Sequence, residues 1–302
     1  MISRLKISKN GPELSKIILG FWRLLRWNYD KNQLIDFIKY SNDLGITSFD
    51  HADIYGSYKC EELFGESLKA EPSLRNKLEL ITKCSIVFES PQRPEYKFHY
   101  YDTSKDHIIK SVHRSLKNFG TDYIDILLIH RPDSLMNYDD TAEGLSKVVK
   151  DGKIKFVGVS NFLPAQFESL QSRLNIPLIT NQIEFSVLNM EALENGTLDL
   201  SQRLKASPMI WSPLAGGRLF NEDSDRVDRI RATLNALSEK YDDAPLDQLA
   251  IAWILKHPSK PFPIIGTGLK ERIKRAVGSL RINLSREDWF RIWSASKGHE
   301  VP

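Results

Sequence analysis

The chain has 302 residues, of which 41% are hydrophobic and 27% are charged, a composition that suits a globular protein with a large core. A formal net charge of +3 is too small to indicate a nucleic-acid-binding protein, and two cysteines are too few for a disulfide framework or a sulfur-ligated zinc site. The first residues lack the apolar core of a signal peptide, and no apolar run approaches a membrane span in length. We therefore expect a cytoplasmic protein with no membrane, nucleic-acid or specific protein partner.

Short apolar runs alternate with longer amphipathic segments along almost the whole chain. The runs predict eight strands and the segments between them predict helices. Eight such units favour an α/β fold of the (β/α)8 TIM-barrel type over an open doubly wound sheet. The predicted strands are 17–20, 46–50, 78–83, 124–129, 155–159, 178–182, 209–211 and 263–265, and helices are predicted at 32–44, 60–69, 104–119, 140–150, 164–172, 246–256 and 270–279.

Three further segments have specific expectations. Prolines and glycines are scattered without a linker-like run, so residues 1–302 are predicted to form one barrel domain, with a hairpin at 2–14 under the barrel. The polar and aromatic segment 88–101 is long for a loop and is expected to help shape a pocket mouth. The tail after Arg286 is predicted either to fold over the barrel mouth or to form an amphipathic helix packed on the core.

Polar, titratable residues stand at the ends of the first predicted strands. Asp50 ends one strand and Tyr55 follows in the next loop, while Lys83 and His130 stand at the ends of two later strands. Each has an ordinary structural explanation by itself, as a loop cap, a packed ring, a surface amine or a buried imidazole. Because parallel barrel strands carry chemistry at their C-terminal ends, we expect the four side chains to converge.

This set of side chains suits one kind of chemistry. A free tyrosine with a pKa of about 10 is a poor proton donor at neutral pH, and an adjacent ammonium is expected to lower that pKa. Lys83 can act in this way, Asp50 can hold Lys83 by an ion pair, and His130 can orient a substrate oxygen. The set favours protonation of an oxygen on which negative charge develops, as in carbonyl reduction.

Motifs in register along nearly the whole chain identify a resemblance to the aldo-keto reductases. The matching segments are Leu19 to Arg23, Asp50 to Gly56, Thr82-Lys83, Leu128 to Pro132, Gly152 to Ile154, Gly158 to Phe162, Asn181-Gln182 and Ser212 to Leu214. The chain is most similar to bacterial members with His-Ala-Asp-Ile-Tyr-Gly, here residues 51–56, and Gly-Gly-Arg-Leu-Phe, here residues 216–220. The resemblance implies a (β/α)8 barrel that reduces aldehydes and ketones with NAD(P)H. It makes Tyr55 the proton donor, with Lys83 and Asp50 tuning it and His130 orienting the carbonyl.

The resemblance also implies a nicotinamide dinucleotide site. Trp211 takes the place of the tyrosine that commonly stacks on the nicotinamide, and Trp22, Tyr55 and His130 are expected to line the reacting end of the substrate pocket. The remaining matched positions are Gly20, Phe21, Trp22 and Asp50 near the first strands, Ser160, Asn161 and Gln182 for the nicotinamide amide, and Ser212, Leu214, Gly216, Gly217 and Arg218 for the pyrophosphate.

The adenosine end departs from the family pattern. Gly266, Thr267 and Arg272 correspond to residues that hold the adenosine 2′-phosphate, and an arginine there favours NADPH. Gly266 stands where many members have lysine, and Arg275-Ala276 replaces a Glu-Asn pair on adenine, with Lys270 or Arg275 available to restore positive charge.

Other interpretations of the chain are also open. A nicotinamide-binding sensor or regulatory subunit with little turnover is the alternative from another class, because barrels of this family also serve as channel-associated subunits. A metal-dependent hydrolase is disfavoured, since the strand ends lack a His-x-His pair or clustered carboxylates. We assign packing roles to His51 and Cys84 and a loop-anchoring role to Arg131.

Overall fold

The apolar runs form the eight strands of a closed parallel barrel in the computed structural model, which describes residues 2–302. This confirms the predicted (β/α)8 barrel. The strands are β1 (Arg4–Lys6), β2 (Glu13–Ser15), β3 (Ile18–Gly20), β4 (Ser48–Asp50), β5 (Glu79–Cys84), β6 (Ile86–Val87), β7 (Tyr100–Tyr101), β8 (Ile124–Ile129), β9 (Ile154–Ser160), β10 (Leu178–Glu184), β11 (Met209–Trp211) and β12 (Phe262–Ile265). The barrel strands follow the chain in order, β3-β4-β5-β8-β9-β10-β11-β12, and β12 closes against β3.

Helices connect the strands, and polar side chains begin several of them. Asp30 and Gln33 form a reciprocal capping box at the start of α1, and Ser104 accepts a hydrogen bond from the His107 amide at 3.3 Å at the start of α4. Helix α4 ends where Gly120 adopts a left-handed conformation, one residue after the end of the helix predicted at 104–119. The helices are α1 (Lys31–Asp43), α2 (Tyr55–Tyr58), α3 (Cys60–Ala70), α4 (Lys105–Phe119), α5 (Tyr138–Lys150), α6 (Pro164–Gln171), α7 (Thr197–Leu204), α8 (Arg218–Asn221), α9 (Asp225–Ser238), α10 (Leu246–Leu255), α11 (Lys270–Gly278) and α12 (Arg286–Lys297).

The strands alternate between two cores. On β8, Ile126 and Leu128 belong to the cluster inside the barrel, whereas Leu127 and Ile129 pack among the residues beneath the helices. In register, Lys83 of β5 lies beside Leu128. The strand register therefore points the amine of Lys83 into the barrel at the C-terminal end of β5.

A hairpin covers the N-terminal end of the barrel. Strands β1 and β2 pair antiparallel, and Ile7 and Leu14 from this hairpin are fully buried in the interior cluster. Arg4 reaches Glu79, at the start of β5, at 2.7 Å. Because this end is filled by apolar side chains, access to the barrel interior lies at the opposite end.

The tail follows the second of the two predicted arrangements, because α12 packs on the helical layer. The indoles of Trp253 and Trp289 stack with centroids 4.8 Å apart, and each donates its N–H to the backbone carbonyl of the other at 3.0 Å. The last turn of α12 touches the loop after β10, where Ser296 Oγ donates to the Val187 carbonyl. None of the described helices is long and apolar enough to cross a membrane.

Candidate active site

Two buried, oppositely charged side chains meet at the C-terminal ends of β4 and β5. The amine Nζ of Lys83 lies 2.8 Å from each carboxylate oxygen of Asp50 and donates to the His51 carbonyl at 2.7 Å. Their side chains are 0% and 4% exposed, so the ion pair is shielded from solvent. Burial of either charge alone would be costly, which makes this pair a unit.

Tyr55 completes this unit from the loop above β4. Its hydroxyl lies 3.2 Å from Lys83 Nζ, and the same amine lies 5.0 Å from the centre of the phenol ring. The structure therefore brings together the three side chains that the sequence places at positions 50, 55 and 83.

His130 stands next to this group at the end of β8. Its ring centre lies 6.0 Å from that of Tyr55, with the two rings nearly perpendicular, and its backbone amide donates to the Cys84 carbonyl at 2.8 Å. The Nδ1 atom is buried and has no hydrogen-bond partner among residues 2–302. The imidazole thus keeps hydrogen-bonding capacity that no neighbouring protein group uses.

Burial dominates the protonation states of these groups. It raises the pKa of Tyr55 above its usual value, and the Lys83 ammonium only partly offsets this. Burial alone would lower the pKa of Lys83, but Asp50 and Tyr55 reverse that effect and the pKa is raised. Burial, with Lys83 and Arg131, holds the pKa of His130 well below its usual value, so the imidazole is neutral at neutral pH.

The expected sign of the Tyr55 shift is therefore wrong. The adjacent ammonium does favour the phenolate, but removing the phenol from water disfavours the phenolate more strongly. The phenol consequently keeps its proton throughout the physiological pH range.

Four polar or aromatic side chains form a second wall across β9, β10 and β11. Asn161 donates to Ser160 Oγ at 2.8 Å and to the His130 carbonyl at 3.2 Å, and its Oδ1 accepts from Trp211 Nε1 at 3.0 Å. Gln182 Nε2 donates to Asp50 at 2.8 Å. This network links the predicted nicotinamide residues directly to the Lys83–Asp50 pair.

The donor and acceptor inventory of this wall fits a carboxamide. The amide nitrogen of Gln182 donates to Asp50 and lies 3.7 Å from Met209 Sδ, which is only a weak acceptor. The Asn161 amide oxygen and the Ser160 hydroxyl oxygen each have a further lone pair beyond the contacts described. Trp211 is partly exposed and offers a flat apolar face beside them.

Several residues of the loop after β11 have a positive φ, which glycine adopts freely and other residues adopt only with strain. Ser212 and Ala215 have φ values of 49° and 52°, and Gly216 and Gly217 continue the left-handed stretch at 68° and 102°. Leu214, between Ser212 and Ala215, has a φ of −110° and is partly buried. Successive backbone amides in such conformations form concavities that attract anions.

Two arginines approach this glycine loop from different sides. Arg218 begins α8 and lies 3.4 Å from Glu222, so its charge is partly neutralised. Arg23, from the segment after β3, donates to the Gly216 carbonyl at 3.0 Å, while its Nε is buried without a partner among residues 2–302. Sequence reasoning assigned no role to Arg23, because a contact across 193 positions has no local pattern.

In the segment after β3, the side chain of Phe21 does not lie where the sequence predicted. Trp22 is 57% exposed, whereas the ring of Phe21 is fully buried and stacks on His51 with centroids 4.6 Å apart. Phe21 was predicted to contact the cofactor, but its side chain faces the helical layer, so only its backbone can do so. Gly20 is buried against Ile264, where an added Cβ would approach the isoleucine to 2.8 Å.

The segment after β12 carries the residues predicted for the 2′-phosphate. Gly266 and Arg272 are exposed, and the buried Thr267 hydroxyl accepts from the Leu269 amide at 3.1 Å. Arg275 forms an ion pair with Asp247. Because Asp247 neutralises the charge of Arg275, Arg272 is the better candidate to bind an anion here.

The structure also locates the residues to which we assigned packing roles. His51 is fully buried among Phe21, Phe64 and Phe119, and burial keeps its pKa well below the usual value. Cys84 is 1% exposed and faces the helical layer, as strand alternation predicts. No group of three or more His, Cys, Asp or Glu side chains among residues 2–302 is placed to hold a metal ion.

Comparison with known proteins agrees with this geometry. The sequence profile described as Aldo/keto reductase family matches residues 16–297. The chain is 46% identical over 302 residues to "Oxidoreductase YdhF" of Escherichia coli (strain K12), which covers 100% of both chains. It is 42% identical over 291 residues to "6-dehydroglucose reductase" of Agrobacterium fabrum strain C58, which covers 96% of each chain.

A solved structure shares the fold at low sequence identity. The holo form of aldo-keto reductase AKR11C1 from Bacillus halodurans is 23% identical and superposes with a TM-score of 0.82, covering 100% of this chain and 98% of that one. This likeness concerns the barrel alone. From the profile match and the two relatives, the chain belongs to the aldo/keto reductase family and is an NAD(P)H-dependent oxidoreductase.

Proposed function

We propose that this enzyme reduces an aldehyde or ketone with NADPH and that Tyr55 donates the proton to the carbonyl oxygen. The observation that carries the proposal is the contact of the Tyr55 hydroxyl with Lys83, whose amine is held by the buried carboxylate of Asp50. The Lys83 ammonium beside the hydroxyl stabilises the phenolate that forms as the proton leaves, and this suits Tyr55 to act as a general acid.

The reaction needs a proton donor whose product is stabilised. As negative charge develops on the substrate oxygen, Tyr55 transfers its hydroxyl proton to that oxygen. The resulting phenolate lies 3.2 Å from the Lys83 ammonium, which stabilises it in a site with little water. Asp50 holds the ammonium in place through contacts to both carboxylate oxygens.

His130 orients the substrate in this proposal. Its imidazole is neutral at neutral pH, so it donates one N–H hydrogen bond and does not compete with Tyr55 as the acid. Trp22, Tyr55 and His130 line the reacting end of the pocket.

The cofactor would be held along the rim from β9 to β12. Ser160, Asn161 and Gln182 would hold the nicotinamide amide, and Trp211 would pack on the ring. A bound reduced nicotinamide supplies the hydride that the chain itself cannot provide. The pyrophosphate and adenosine would be held by the backbone at Gly20, Phe21 and Trp22 and by Ser212, Leu214, Gly216, Gly217, Arg218, Gly266, Thr267 and Arg272.

The preference for NADPH is expected to depend on Arg272. The exposed guanidinium can form charge-assisted hydrogen bonds with a 2′-phosphate, which NADH lacks. We expect Arg272→Ala to raise the KM for NADPH about tenfold while the KM for NADH stays nearly constant. Steady-state kinetics with both nucleotides measure this, and equal changes would mean that the 2′-phosphate is held elsewhere.

The substrate class is best searched among polar aldehydes first. Relatives at 42% and 34% identity carry the name "6-dehydroglucose reductase", which makes sugar aldehydes a chemically specific starting point. The exposed Trp22 side chain provides an apolar face at the pocket rim against which a sugar ring can pack. A screen should compare such aldehydes with aromatic and aliphatic carbonyls.

The central test replaces Tyr55 by phenylalanine. Tyr55→Phe keeps the ring and removes the acid, so reduction should fall by about two orders of magnitude or more. NADPH binding, followed by nucleotide fluorescence, should stay close to that of the unchanged chain. Near-normal turnover in this variant would contradict the assignment of the acid.

Two outcomes for the unchanged chain separate the enzyme from its rival. Turnover of any carbonyl in the screen supports the reductase. Tight NADPH binding without nucleotide oxidation above background would favour a sensor or regulatory subunit instead.

A further inference from the structure

The short element α2, Tyr55–Tyr58, is an irregular turn and not a regular α-helix. Gly56, Ser57 and Tyr58 have φ values of 59°, 54° and 69°, so three successive residues are left-handed. Ser57 and Tyr58 carry side chains, and such residues avoid this conformation unless their surroundings hold them there. The strained turn begins directly after the residue that is proposed to donate the proton.

A tyrosine hydroxyl links this turn to a distant segment. Tyr58 is only 5% exposed, and its hydroxyl accepts a hydrogen bond from the Phe88 amide at 3.2 Å and lies 3.5 Å from the Phe88 carbonyl. The two rings stack with centroids 5.0 Å apart, and Arg93 lies over the Tyr58 ring at 5.1 Å. Ser90 Oγ adds a hydrogen bond to the Ser57 carbonyl at 3.3 Å.

The segment that makes these contacts is itself anchored. Strands β6 and β7 close its two ends, and Arg114 of α4 holds Tyr96 and Glu95 at 2.8 Å each. An added Cβ on Gly56 would come within 2.6 Å of Leu25 and Cys60, so these side chains pack closely on the turn. The turn is therefore held both by packing and by hydrogen bonds.

We infer that Tyr58 is a positioning residue for Tyr55, and the inference rests on the proposed function. Its hydroxyl ties the left-handed turn 56–58 to the Phe88 backbone, and this tie keeps the Tyr55 hydroxyl within reach of Lys83. Segment 88–101, which the sequence predicts to help shape a pocket mouth, thus also supports the proposed proton donor from outside the barrel.

The test removes the hydroxyl and keeps the ring. Tyr58→Phe retains the stacking on Phe88 and loses only the hydrogen bond. We expect kcat to fall about tenfold while the KM and the dissociation constant for NADPH stay unchanged, since a small displacement of a reacting group is costly. Tyr241→Phe is the control, because its hydroxyl also accepts from a backbone amide, that of Ser285 at 2.9 Å, among the helices α9 to α12. The Tyr241 hydroxyl donates to the buried Asp288 carboxylate as well, so this variant loses at least as much hydrogen bonding as Tyr58→Phe.

A measurement without turnover follows Tyr55 directly. In protein with 13Cζ-labelled tyrosine, the Tyr55 resonance is identified by its absence in Tyr55→Phe. The inference expects this resonance to shift in Tyr58→Phe and to stay in place in Tyr241→Phe. If Tyr58→Phe fails to fold, Ser90→Ala is measured in its place, and we again expect kcat to fall and the Tyr55 resonance to shift.

The outcomes separate this inference from the proposed function. If the unchanged chain reduces no carbonyl, the reductase proposal fails and the resonance alone decides on the positioning role. If the unchanged chain is active, a constant kcat or a constant Tyr55 resonance in the hydroxyl-deleted variant would overturn that role. An equal loss of kcat in Tyr241→Phe would also overturn it, because the effect would then reflect general stability.

Discussion

Two buried ion pairs occupy opposite ends of strand β5. At the N-terminal end, Arg75 bonds Asp125 at 2.9 Å, and its other donors meet Thr121 Oγ1 and the carbonyls of Leu78 and Tyr123 at 2.9–3.1 Å. At the C-terminal end, Lys83 bonds Asp50, but one of its partners is the Tyr55 hydroxyl. The other partners of Arg75 are backbone carbonyls and a hydroxyl oxygen, and these contacts stabilise the fold. Among the partners of Lys83 is the Tyr55 hydroxyl, which carries a titratable proton.

The difference indicates that one end of β5 contributes to stability, whereas the other end has the features expected of a functional site. Every partner of Arg75 is a hydrogen-bond acceptor within the fold, so we interpret this ion pair as structural. Around Lys83, His130 Nδ1 has no partner among residues 2–302, and Ser57 and Tyr58 nearby are left-handed. Unused hydrogen-bonding capacity and backbone strain concentrate at functional sites, and the rest of the fold compensates for them.

The largest expected effect comes from removing the amine at the open end. Lys83→Met leaves the Asp50 carboxylate buried with Gln182 as its remaining donor, so the free energy of unfolding should fall by about 3–5 kcal/mol. Reduction should fall by about two orders of magnitude or more, because Tyr55 loses the cation that stabilises its phenolate. Urea unfolding and steady-state kinetics measure the two losses, and a variant that keeps its activity would show that the pair is only structural.

Removing the guanidinium at the closed end should affect stability alone. Arg75→Met leaves Asp125 buried, and we expect a loss of about 3–5 kcal/mol in the free energy of unfolding. Carbonyl reduction by the folded variant should match that of the unchanged chain, since the two ends of β5 share no hydrogen-bond partner. A lower kcat under conditions in which the variant is still folded would mean that the two ends of β5 are coupled.

The smallest effect is expected at the rim of the closed cluster. Lys155 also contacts Asp125, at 3.0 Å, but its side chain is 47% exposed. Lys155→Met should therefore lower the free energy of unfolding by at most about 1 kcal/mol, as is typical of solvent-exposed pairs. The same urea series measures it, and a loss equal to that of Arg75→Met would show that Asp125 depends on both cations.

The barrel could be predicted from the sequence because buried parallel strands are continuous apolar runs. The run at 124–129 is one example, and the polar residues that end such runs identify the C-terminal rim. The same rule places Asp50 and Lys83 side by side. Strands β6 and β7 escaped prediction, since two residues each are too few to show alternation.

The remaining features depend on contacts that no local pattern encodes. The sign of the Tyr55 pKa shift depends on how much water the fold removes from the phenol, and segments far apart in the chain determine that. Phe21 lies in a matching motif, yet the rotation of the chain there buries its ring against His51. Arg75 and Asp125 are 50 positions apart, so no local pattern indicates that they form an ion pair.

The two cysteines have a practical consequence for the intact chain. Burial raises the pKa of Cys60 to about 11 and that of Cys84 well above its usual value, so neither thiol reacts while the surrounding layer is closed. Cys60 lies under the turn at Gly56, and Cys84 stands on the outer face of β5. Alkylation of these thiols therefore proceeds only when the wall of the barrel opens, and its rate in the native protein reports how often the structure next to Tyr55 opens.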